Sequence, residues 1–461
     1  MKYFLMPHPP IIIPEIGKGR EEEVIKTVNS CKEVGDIIEE SEVETIIIIS
    51  PHGTVFRDAI SLIKTDYIYG DLGDFGAPEV KFNYYIDLEL TDEIINLSVN
   101  EEIPVVSLDE KSSIRYRVPL ELDHGAMVPL YYADKNKKHK LVHINYGLLT
   151  PIELFKFGLV IKQAVNNTGR KAVIIASGDL SHRLIENGPY PYTPVGKEFD
   201  DELVKILSLG EVEKIFKIDR DLIKSAGECG LRSIYILLGT INSSKTNSKL
   251  FSYGGSLGVG YAVFQFEEGS GNLYEDLMNE KEKEHKRKLE EENPYTRLAR
   301  KNLDTYFNSG RLLTREEIED EKLLGDKKGV FVSLKMNGEL RGCIGTIKPT
   351  TDSVGEEIIR NSLSAALNDP RFAPLKKEEL MEIDISVDLL YPPEEAVFED
   401  LDPYNYGVIV TSGNKKGLLL PNLEEVYNKE EQLEIAMNKG GISHSDKYTL
   451  ERFKVERFKE V

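Results

Sequence analysis

The sequence predicts an α/β N-terminal domain with a largely parallel central sheet, followed by a smaller α+β domain. Two observations support this division. Strand-like and helix-like segments alternate through residues 1–268, whereas strand and helix order is mixed through residues 294–461. The length agrees with it, because a chain of 461 residues exceeds what one ordinary hydrophobic core supports.

The predicted strands of the first domain are nearly continuous apolar runs rich in β-branched residues. They are KYFLM (2–6), TIIIIS (45–50), KLVHINY (140–146) and KAVIIAS (171–177). Such runs are typical of parallel strands that are buried on both faces. The helix-like stretches between them lie at 20–40, 151–167 and 196–216. The glycine-rich segment 248–268 predicts a late hairpin.

Residues 269–293 change character and predict a charged linker or helix between the domains. The run EDLMNEKEKEHKRKLEEEN offers almost no apolar face to a core. Beyond it, the sequence predicts helices at 294–308 and 353–367 and strands at 330–336 and 382–390. This mixed order favours an α+β domain.

Composition excludes several classes of function. A net charge of −21 argues against nucleic-acid binding, because phosphate repels such a surface. No apolar run approaches the roughly 20 residues that a membrane helix needs. Prolines interrupt the apolar N-terminal stretch and argue against a signal peptide, so we expect a cytoplasmic protein. The cysteines form no CxxC pair, so neither a disulfide framework nor a structural zinc site is expected.

Four of the eight histidines occupy positions suited to a shared site. His8, His52 and His182 each follow a predicted strand, and His124 follows Asp123, which is a candidate helix cap. Ligands of open α/β sheets bind outside the carboxyl ends of the strands, so these side chains are expected to converge. We interpret His143, inside a predicted strand, as structural. His139 and His285 lie in charged segments and are expected to be solvated.

The chemistry that these residues suggest is metal binding. Neutral imidazole is a good ligand for Fe(II) and Zn(II), and non-haem oxygenases commonly combine two histidines with one carboxylate. Glu228, in SAGECGLRSIYILLG, opens an apolar helix and offers a carboxylate at a rigid position. Asp179 or a backbone carbonyl is a candidate to hold the ring of His182.

The ordered segments MPHPP, SPHG, DHGAMVPL, SGDLSH and AGECG resemble the class III extradiol ring-cleavage dioxygenase superfamily and the related Memo proteins. The resemblance covers roughly residues 1–265. It implies that His8, His52 and Glu228 hold Fe(II), that His182 is a general base, and that His124 faces substrate or oxygen. It also implies a catechol-like or other aromatic small-molecule substrate and dioxygen.

The Memo-like relatives suggest an alternative third ligand and an alternative function. Their ligand resembles a Cys-Gly pair, which Cys229 and Gly230 match here. A carboxylate favours Fe(II) and oxygen chemistry, whereas a thiolate favours zinc or copper. The competing hypotheses are therefore a metal-binding redox or assembly protein without dioxygenase activity, and a metal-dependent hydrolase or modifying enzyme.

The second domain carries its own resemblance. LRGCIG (340–345), NSLSAALNDPRFAPL (361–375), ISVDLL (385–390) and KKGLLLP (415–421) resemble the AMME-syndrome candidate-region family, whose activity is not settled. Its pairing with a Memo-like domain resembles the AmmeMemoRadiSam system and implies a radical-SAM protein as partner. We interpret Cys343 as a buried structural residue in a tight turn, and Arg371 as structurally paired.

Overall fold

The computed structural model describes residues 1–290, 293–336, 338–423 and 426–460. The chain divides into two compact units, Met1–Met278 and Asn279–Val461. Within the described residues, no helix has the length and apolar character needed to cross a membrane.

The first unit consists of strands and helices in alternation. Its described residues form the strands β1 (Lys2–Met6), β2 (Thr45–Ser50), β3 (Ile60–Ile63), β4 (Tyr67–Leu72), β5 (Ala77–Tyr85), β6 (Val105–Leu108), β7 (Lys140–Asn145), β8 (Ala172–Ser177), β9 (Lys245–Gly254) and β10 (Tyr261–Ser270). The helices are α1 (Pro14–Gly17), α2 (Ile25–Glu39), α3 (Leu88–Asn100), α4 (Glu110–Tyr116), α5 (His124–Ala133), α6 (Pro151–Thr168), α7 (Pro194–Leu209), α8 (Arg220–Ala226) and α9 (Leu231–Ile241).

Eight of these strands form one sheet in the order β6-β3-β7-β2-β8-β1-β10-β9. Its centre is parallel, because β2 pairs in parallel with both β7 and β8, and β8 pairs in parallel with β1. The antiparallel hairpin of β9 and β10 then extends the sheet beside β1. The predicted parallel centre and late hairpin are both confirmed.

Both faces of the sheet are buried, as the continuous apolar strands predict. In β1, Tyr3 and Leu5 enter a core with residues of α3, α6 and α9, whereas Phe4 and Met6 enter a second core with residues of α2 and α5. Since side chains alternate between the faces of a strand, a strand packed on both sides needs apolar residues at every position. Most polar groups of the central strands therefore lie at the strand ends; His143, inside β7, contacts Asp123.

The second unit is built from antiparallel sheets and helices, which confirms the α+β expectation. The unit boundary falls within the helix α10 (Leu273–Leu289). The later helices are α11 (Pro294–Ser309), α12 (Lys322–Gly325), α13 (Val354–Leu367) and α14 (Lys429–Gly440). The strands are β11 (Gly329–Met336), β12 (Glu339–Gly345), β13 (Ile383–Leu390), β14 (Glu394–Ala396), β15 (Gly407–Ser412), β16 (Lys415–Leu419), β17 (Thr449–Phe453) and β18 (Val455–Lys459). Within the described residues of this unit they form two sheets, in the orders β12-β11-β13-β18 and β14-β17-β15-β16.

Three local expectations are wrong. His139 is not solvated, because its side chain is buried with Nδ1 2.9 Å from Oδ1 of Asp134. His285 is largely buried, with Nε2 3.0 Å from Oδ1 of Asp304. Cys343 does not lie in a tight turn, because it pairs with Ser333 in the middle of the β11–β12 ladder. The use of 269–293 as a linker stays a prediction.

Candidate metal centre

The predicted histidines converge at the carboxyl edge of the central sheet. β2, β8 and β1 are neighbours in the sheet, and His52, His182 and His8 follow them in that order. His124 reaches the same place as the first residue of α5, whose N-cap is Asp123. Parallel neighbours end at one edge, so residues 174 positions apart in the chain meet within a few ångströms.

His8, His52 and His124 form a compact group of imidazoles. Nε2 of His8 lies 2.9 Å from Nε2 of His52. The ring of His124 stacks on that of His52, with centroids 4.3 Å apart and planes 19° apart. One ring nitrogen from each of the three lies within 4.8 Å of the other two. Three neutral nitrogen donors this close are suited to one metal ion.

The hydrogen bonds of His8 fix which of its nitrogens is free. Its Nδ1 lies 3.0 Å from Oγ of Ser177, and that hydroxyl donates its hydrogen to the carbonyl oxygen of Gly125. A hydroxyl has one hydrogen, so Oγ must accept from Nδ1–H of His8. The lone pair of His8 is therefore on Nε2, which faces His52. Metal-binding histidines commonly donate their second ring N–H to such an acceptor, which leaves the other nitrogen free for the metal.

Asp179 and Cys229 form a second donor group around the same His8 nitrogen. Sγ of Cys229 lies 3.6 Å from Nε2 of His8. Oδ2 of Asp179 lies 3.6 Å from the same nitrogen, and its Oδ1 accepts from the backbone N–H of His8 at 3.0 Å. The three donors lie within 4.8 Å of one another. His8 is thus common to both groups.

Glu228, the predicted third ligand, makes a different contact in this structure, and its assignment as a ligand stays a prediction. Its Oε2 accepts from the backbone N–H of Leu231 at 2.6 Å, at the start of α9. Among the described residues, neither compact donor group includes it. The carboxylate is used at the helix terminus, where positive N–H groups favour it. The adjacent Cys229 supplies the group that faces His8.

His182 lies beside the donors and outside both compact groups. Its Nε2 is 3.7 Å from Sγ of Cys229, and its ring stacks on Tyr190 with centroids 5.0 Å apart. Asp179 was a candidate to hold this ring, but its carboxylate is engaged by His8. The backbone N–H of His182 donates to the carbonyl of Ala226, which ties its loop to the end of α8.

The environment keeps these imidazoles neutral. Burial, followed by the neighbouring His52 and His124, holds the pKa of His8 well below its usual value. Burial and the nearby His124 lower the pKa of His52 to about 4. Burial also lowers the pKa of His124 and of His182. Neutral rings keep a nitrogen lone pair for a metal or a proton.

The acidic and thiol groups are shifted toward their neutral forms. Burial raises the pKa of Asp179 to about 7, although the N–H of His8 opposes the shift. Burial, reinforced by Asp179, raises the pKa of the Cys229 thiol well above its usual value. A cation at this position would favour the ionised forms of both groups, so they are candidate metal ligands.

A buried network beneath the site positions His124. Asp123 accepts from Nε2 of His143 at 3.0 Å, from Asn145 at 3.3 Å and from the hydroxyl of Ser50. Burial raises the pKa of Asp123, but these hydrogen bonds, led by His143, hold it below its usual range. The ionised carboxylate also caps α5 through the N–H of Ala126. The structural interpretation of His143 agrees with this contact.

Two glycines bring the donor loops together. A Cβ atom on Gly178 would lie 2.1 Å from Cα of Gly230, which is far inside van der Waals contact. Gly178 precedes Asp179, and Gly230 follows Cys229. The carbonyl of Asp179 accepts from the N–H groups of Cys229 and Gly230 at 3.3 and 3.0 Å. The loop after β8 and the loop before α9 therefore touch backbone to backbone.

Sequence reasoning missed several members of the site. Ser177 and the second role of Asp179 were not assigned, although both lie in the SGDLSH segment that was singled out. Tyr190 and Phe75 were missed because they come from loops without a motif. The ring of Phe75 lies 5.2 Å from that of His124, and Phe75 and Tyr190 are 39% and 48% exposed.

The comparisons with known proteins agree with both units. Residues 2–264 match the family model of the catalytic LigB subunit of aromatic ring-opening dioxygenase, and residues 296–460 match the AMMECR1 family model. Protein CA_C1420 of Clostridium acetobutylicum is 48% identical over 464 residues, covering 99% of each chain. A protein of Thermotoga maritima is 44% identical over 36% of this chain and 98% of its own. The crystal structure of uncharacterized protein PH0010 from Pyrococcus horikoshii covers 36% of this chain and 89% of its own, at 30% identity and a TM-score of 0.34.

Proposed function

The chain belongs to the LigB family, with an AMMECR1 domain following the LigB domain, and from this premise we propose that its first unit is a metal-dependent dioxygenase-like oxidoreductase acting on a catechol-like aromatic substrate. The observation that supports the proposal most strongly is the 2.9 Å approach of Nε2 of His8 and Nε2 of His52 at the carboxyl edge of the sheet. His124 stacks on His52, and His182 lies beside Cys229 and outside both donor groups.

The metal in this proposal is Fe(II), held by His8 and His52, with Glu228 as the carboxylate ligand that the resemblance implies and Asp179 and Cys229 as alternative donors around Nε2 of His8. When bound, Fe(II) supplies Lewis acidity and a template for a chelating substrate and dioxygen. The free Nε2 of His8, fixed by Ser177, fits this role. Asp179 brings a carboxylate to His8, and histidines combined with one carboxylate are the usual ligands of non-haem Fe(II).

His182 is the proposed general base. Its ring is neutral because burial lowers its pKa, so a ring nitrogen can accept a proton from a substrate hydroxyl. Nε2 of His182 lies 3.7 Å from Sγ of Cys229 and therefore faces the donor group. His124, at the start of α5 and braced by Asp123, is proposed to face the substrate or oxygen.

Aromatic side chains support an aromatic substrate. Tyr190 stacks on His182, and Phe75 packs on His124, and both side chains are partly exposed. Exposed rings beside the donors offer apolar faces to a flat ligand, for which offset or edge contacts contribute roughly 0.5–1.5 kcal/mol each.

Anaerobic purification, metal analysis and oxygen uptake test this function. The protein is loaded with Fe(II) and supplied with catechol, and the ring-opened product is followed by its absorbance. We expect uptake that depends on Fe(II) and falls about 10²–10⁴-fold in His182→Ala, which keeps its iron. His444→Ala, in the second unit, is the control. Equal uptake by wild type and His182→Ala would contradict the assignment.

Cys229 favours a second candidate function. Its sulfur lies 3.6 Å from Nε2 of His8, and a thiolate ligand favours zinc or copper. In this alternative the unit is a Memo-like metal-binding redox or assembly protein that works with a radical-SAM partner. Stoichiometric zinc or copper in protein purified without added metal, lost in Cys229→Ala and retained in Asp179→Asn, would favour it. Co-purification of a radical-SAM protein tests the partner.

A further inference from the structure

A buried carboxylate on α7 takes no part in the chemistry proposed above. Asp200 is fully buried, and its Oδ1 accepts from the backbone N–H of Ser181 at 2.7 Å. Its Oδ2 accepts from the hydroxyl of Tyr253, in β9, also at 2.7 Å. Both donors are neutral groups, and burial raises the pKa of Asp200 to about 7. Because neither donor is a cation, a carboxylate at this position is costly, which indicates a role beyond filling space.

The N–H that Asp200 binds belongs to the loop after β8, one residue before His182. The carbonyl of Ser181 accepts from the N–H of Gly260 at 2.8 Å, and the N–H of His182 donates to the carbonyl of Ala226 at 3.2 Å. The peptide that joins Ser181 to His182 is therefore held at both of its polar atoms, and Asp200 holds the peptide before it. Since each peptide is planar, fixing two in succession fixes the backbone of Ser181 and the place where His182 begins.

The same loop returns directly into α7, the helix that carries Asp200. The N–H of Thr193, the N-cap of α7, donates to the carbonyl of Arg183 at 3.2 Å and closes the loop at its base. Tyr190 lies on this loop, and its ring stacks on that of His182 with centroids 5.0 Å apart and planes 19° apart. Asp200 therefore ties the start of the loop to the helix that follows it, and the loop between them carries both rings.

The ring of His182 depends on this backbone for its direction. Its Nε2 lies 3.7 Å from Sγ of Cys229, and its ring face packs on Tyr190. Within the part of the chain that the structure describes, no oxygen forms a hydrogen bond with either ring nitrogen. His8 differs, because Ser177 accepts from its Nδ1–H and fixes that ring directly. An imidazole without such an acceptor is placed mainly by the backbone that carries it.

We propose that Asp200 is a positioning residue for His182, which acts through the N–H of Ser181 and sets where the His182 ring lies beside the donors. The inference rests on the proposed function only for the role of His182 as a base, since the position of the ring can be measured without a substrate. Removal of the carboxylate lets the loop move and the His182 ring leave Tyr190. His8, held by a hydrogen bond of its own, keeps its place.

The ring current of Tyr190 reports the position of His182 in the full chain. Protein with histidine isotopically labelled at Cε1 gives a magnetic-resonance signal for each histidine, and the His182 signal is identified by its absence in His182→Gln. Tyr190→Leu gives the position of this signal without stacking. We expect Asp200→Ala to move the signal most of the way to that position. Asp200→Asn keeps an acceptor for Ser181 and should leave the signal near its wild-type position. Tyr253→Phe, which removes the other donor to Asp200, is the matched control and should not move it.

A His182 signal at its wild-type position in Asp200→Ala would overturn the proposal, and so would an equal movement in Tyr253→Phe. The signals of His285 and His444, in the second unit, should stay in place and show that the chain is folded. If Asp200→Ala does not fold, the double variant Asp200→Leu, Tyr253→Phe decides. It replaces the carboxylate and its phenol partner together by apolar groups and still removes the acceptor of the loop N–H. An unmoved His182 signal in this variant would refute the proposal.

Oxygen uptake with catechol, measured on the same Fe(II)-loaded proteins, separates this inference from the proposed function. Turnover should fall about 100-fold in Asp200→Ala at unchanged iron content, because a displacement of roughly 1 Å at a reacting group has an effect of that size. Tyr253→Phe should keep the wild-type turnover. If the wild type takes up no oxygen, the proposed function fails, and the position of the His182 signal still decides the role of Asp200.

Discussion

The central sheet of the first unit and the β12-β11-β13-β18 sheet of the second place their polar groups differently. In the first, the central strands β1, β2 and β8 are apolar at most positions and pack on both faces, so His8, His52 and His182 lie in the loops after the strands. In the second, apolar and polar residues alternate, so one face carries Cys343, Ser333 and Asp388. A continuous apolar pattern thus leaves polar side chains at the edge of a sheet, whereas an alternating pattern places them on one of its faces.

The largest expected effect is loss of the metal from the strand-end site. His8→Ala and His52→Ala each remove an imidazole donor, so the metal content after dialysis should fall to background. This loss is larger than the roughly 100-fold loss of metal affinity that follows removal of a residue hydrogen-bonded to a ligand. Elemental analysis is the measurement. His182→Ala should retain the metal. If His182→Ala empties the site as completely as His52→Ala, His182 is a ligand; if all three variants keep full metal, the group is not the metal site.

The second largest effect tests the interior of the second unit. Arg300 is fully buried and donates to both oxygens of Glu460, at 2.8 and 2.6 Å, and to two backbone carbonyls. Arg300→Met leaves a buried carboxylate without its partner and should cost about 3–5 kcal/mol in the free energy of unfolding. Denaturant unfolding measures it, with the exposed Arg360→Met as control.

The Arg300→Met variant also tests whether the stability of the second unit affects metal binding by the first. The metal content of Arg300→Met, measured under native conditions, should remain that of wild type, because the donors belong to the first unit. Loss of the metal in this variant would show that the two units are energetically coupled.

A smaller effect tests the support of His8. Ser177→Ala removes the acceptor that fixes the Nδ1–H form of His8, so metal affinity should fall about 10- to 100-fold. Competition with a chromophoric chelator measures the change. Ser30→Ala makes the same substitution at a buried hydroxyl of α2, which donates to the carbonyl of Lys26 away from the site. An equal loss in both variants would indicate general destabilisation.

The smallest perturbation is proteolysis of the wild-type chain. We expect brief digestion to cut first within 269–293, since most side chains after Met278 in this segment are charged, and to leave two folded fragments. Fragment masses and circular dichroism measure the outcome. A first cut inside either unit, or fragments without secondary structure, would count against the predicted linker.

The sequence predicted the fold and the convergence of the histidines because both depend on local pattern. Apolar runs identified the parallel strands, and the strand ends located His8, His52 and His182. The sequence could not decide whether Glu228 or Cys229 is the metal ligand, because the two residues are adjacent and their side chains point in different directions. The burial of His139 was missed because it depends on a contact with Asp134, the residue that ends α5. Tyr190 was missed because no sequence motif indicates its tertiary contact with His182.

The backbone contact of Gly178 with Gly230 has a consequence for how the donors could change over evolution. Since a Cβ atom at position 178 would lie 2.1 Å from Cα of Gly230, these two loops are too close together for a side chain to fit between them. The spacing of Asp179 and Cys229 is therefore set by a contact between two backbones and does not depend on the size of a side chain. Exchange of a donor residue leaves the spacing of these two loops unchanged, whereas any residue larger than glycine at position 178 would push apart the loops that carry Asp179 and Cys229.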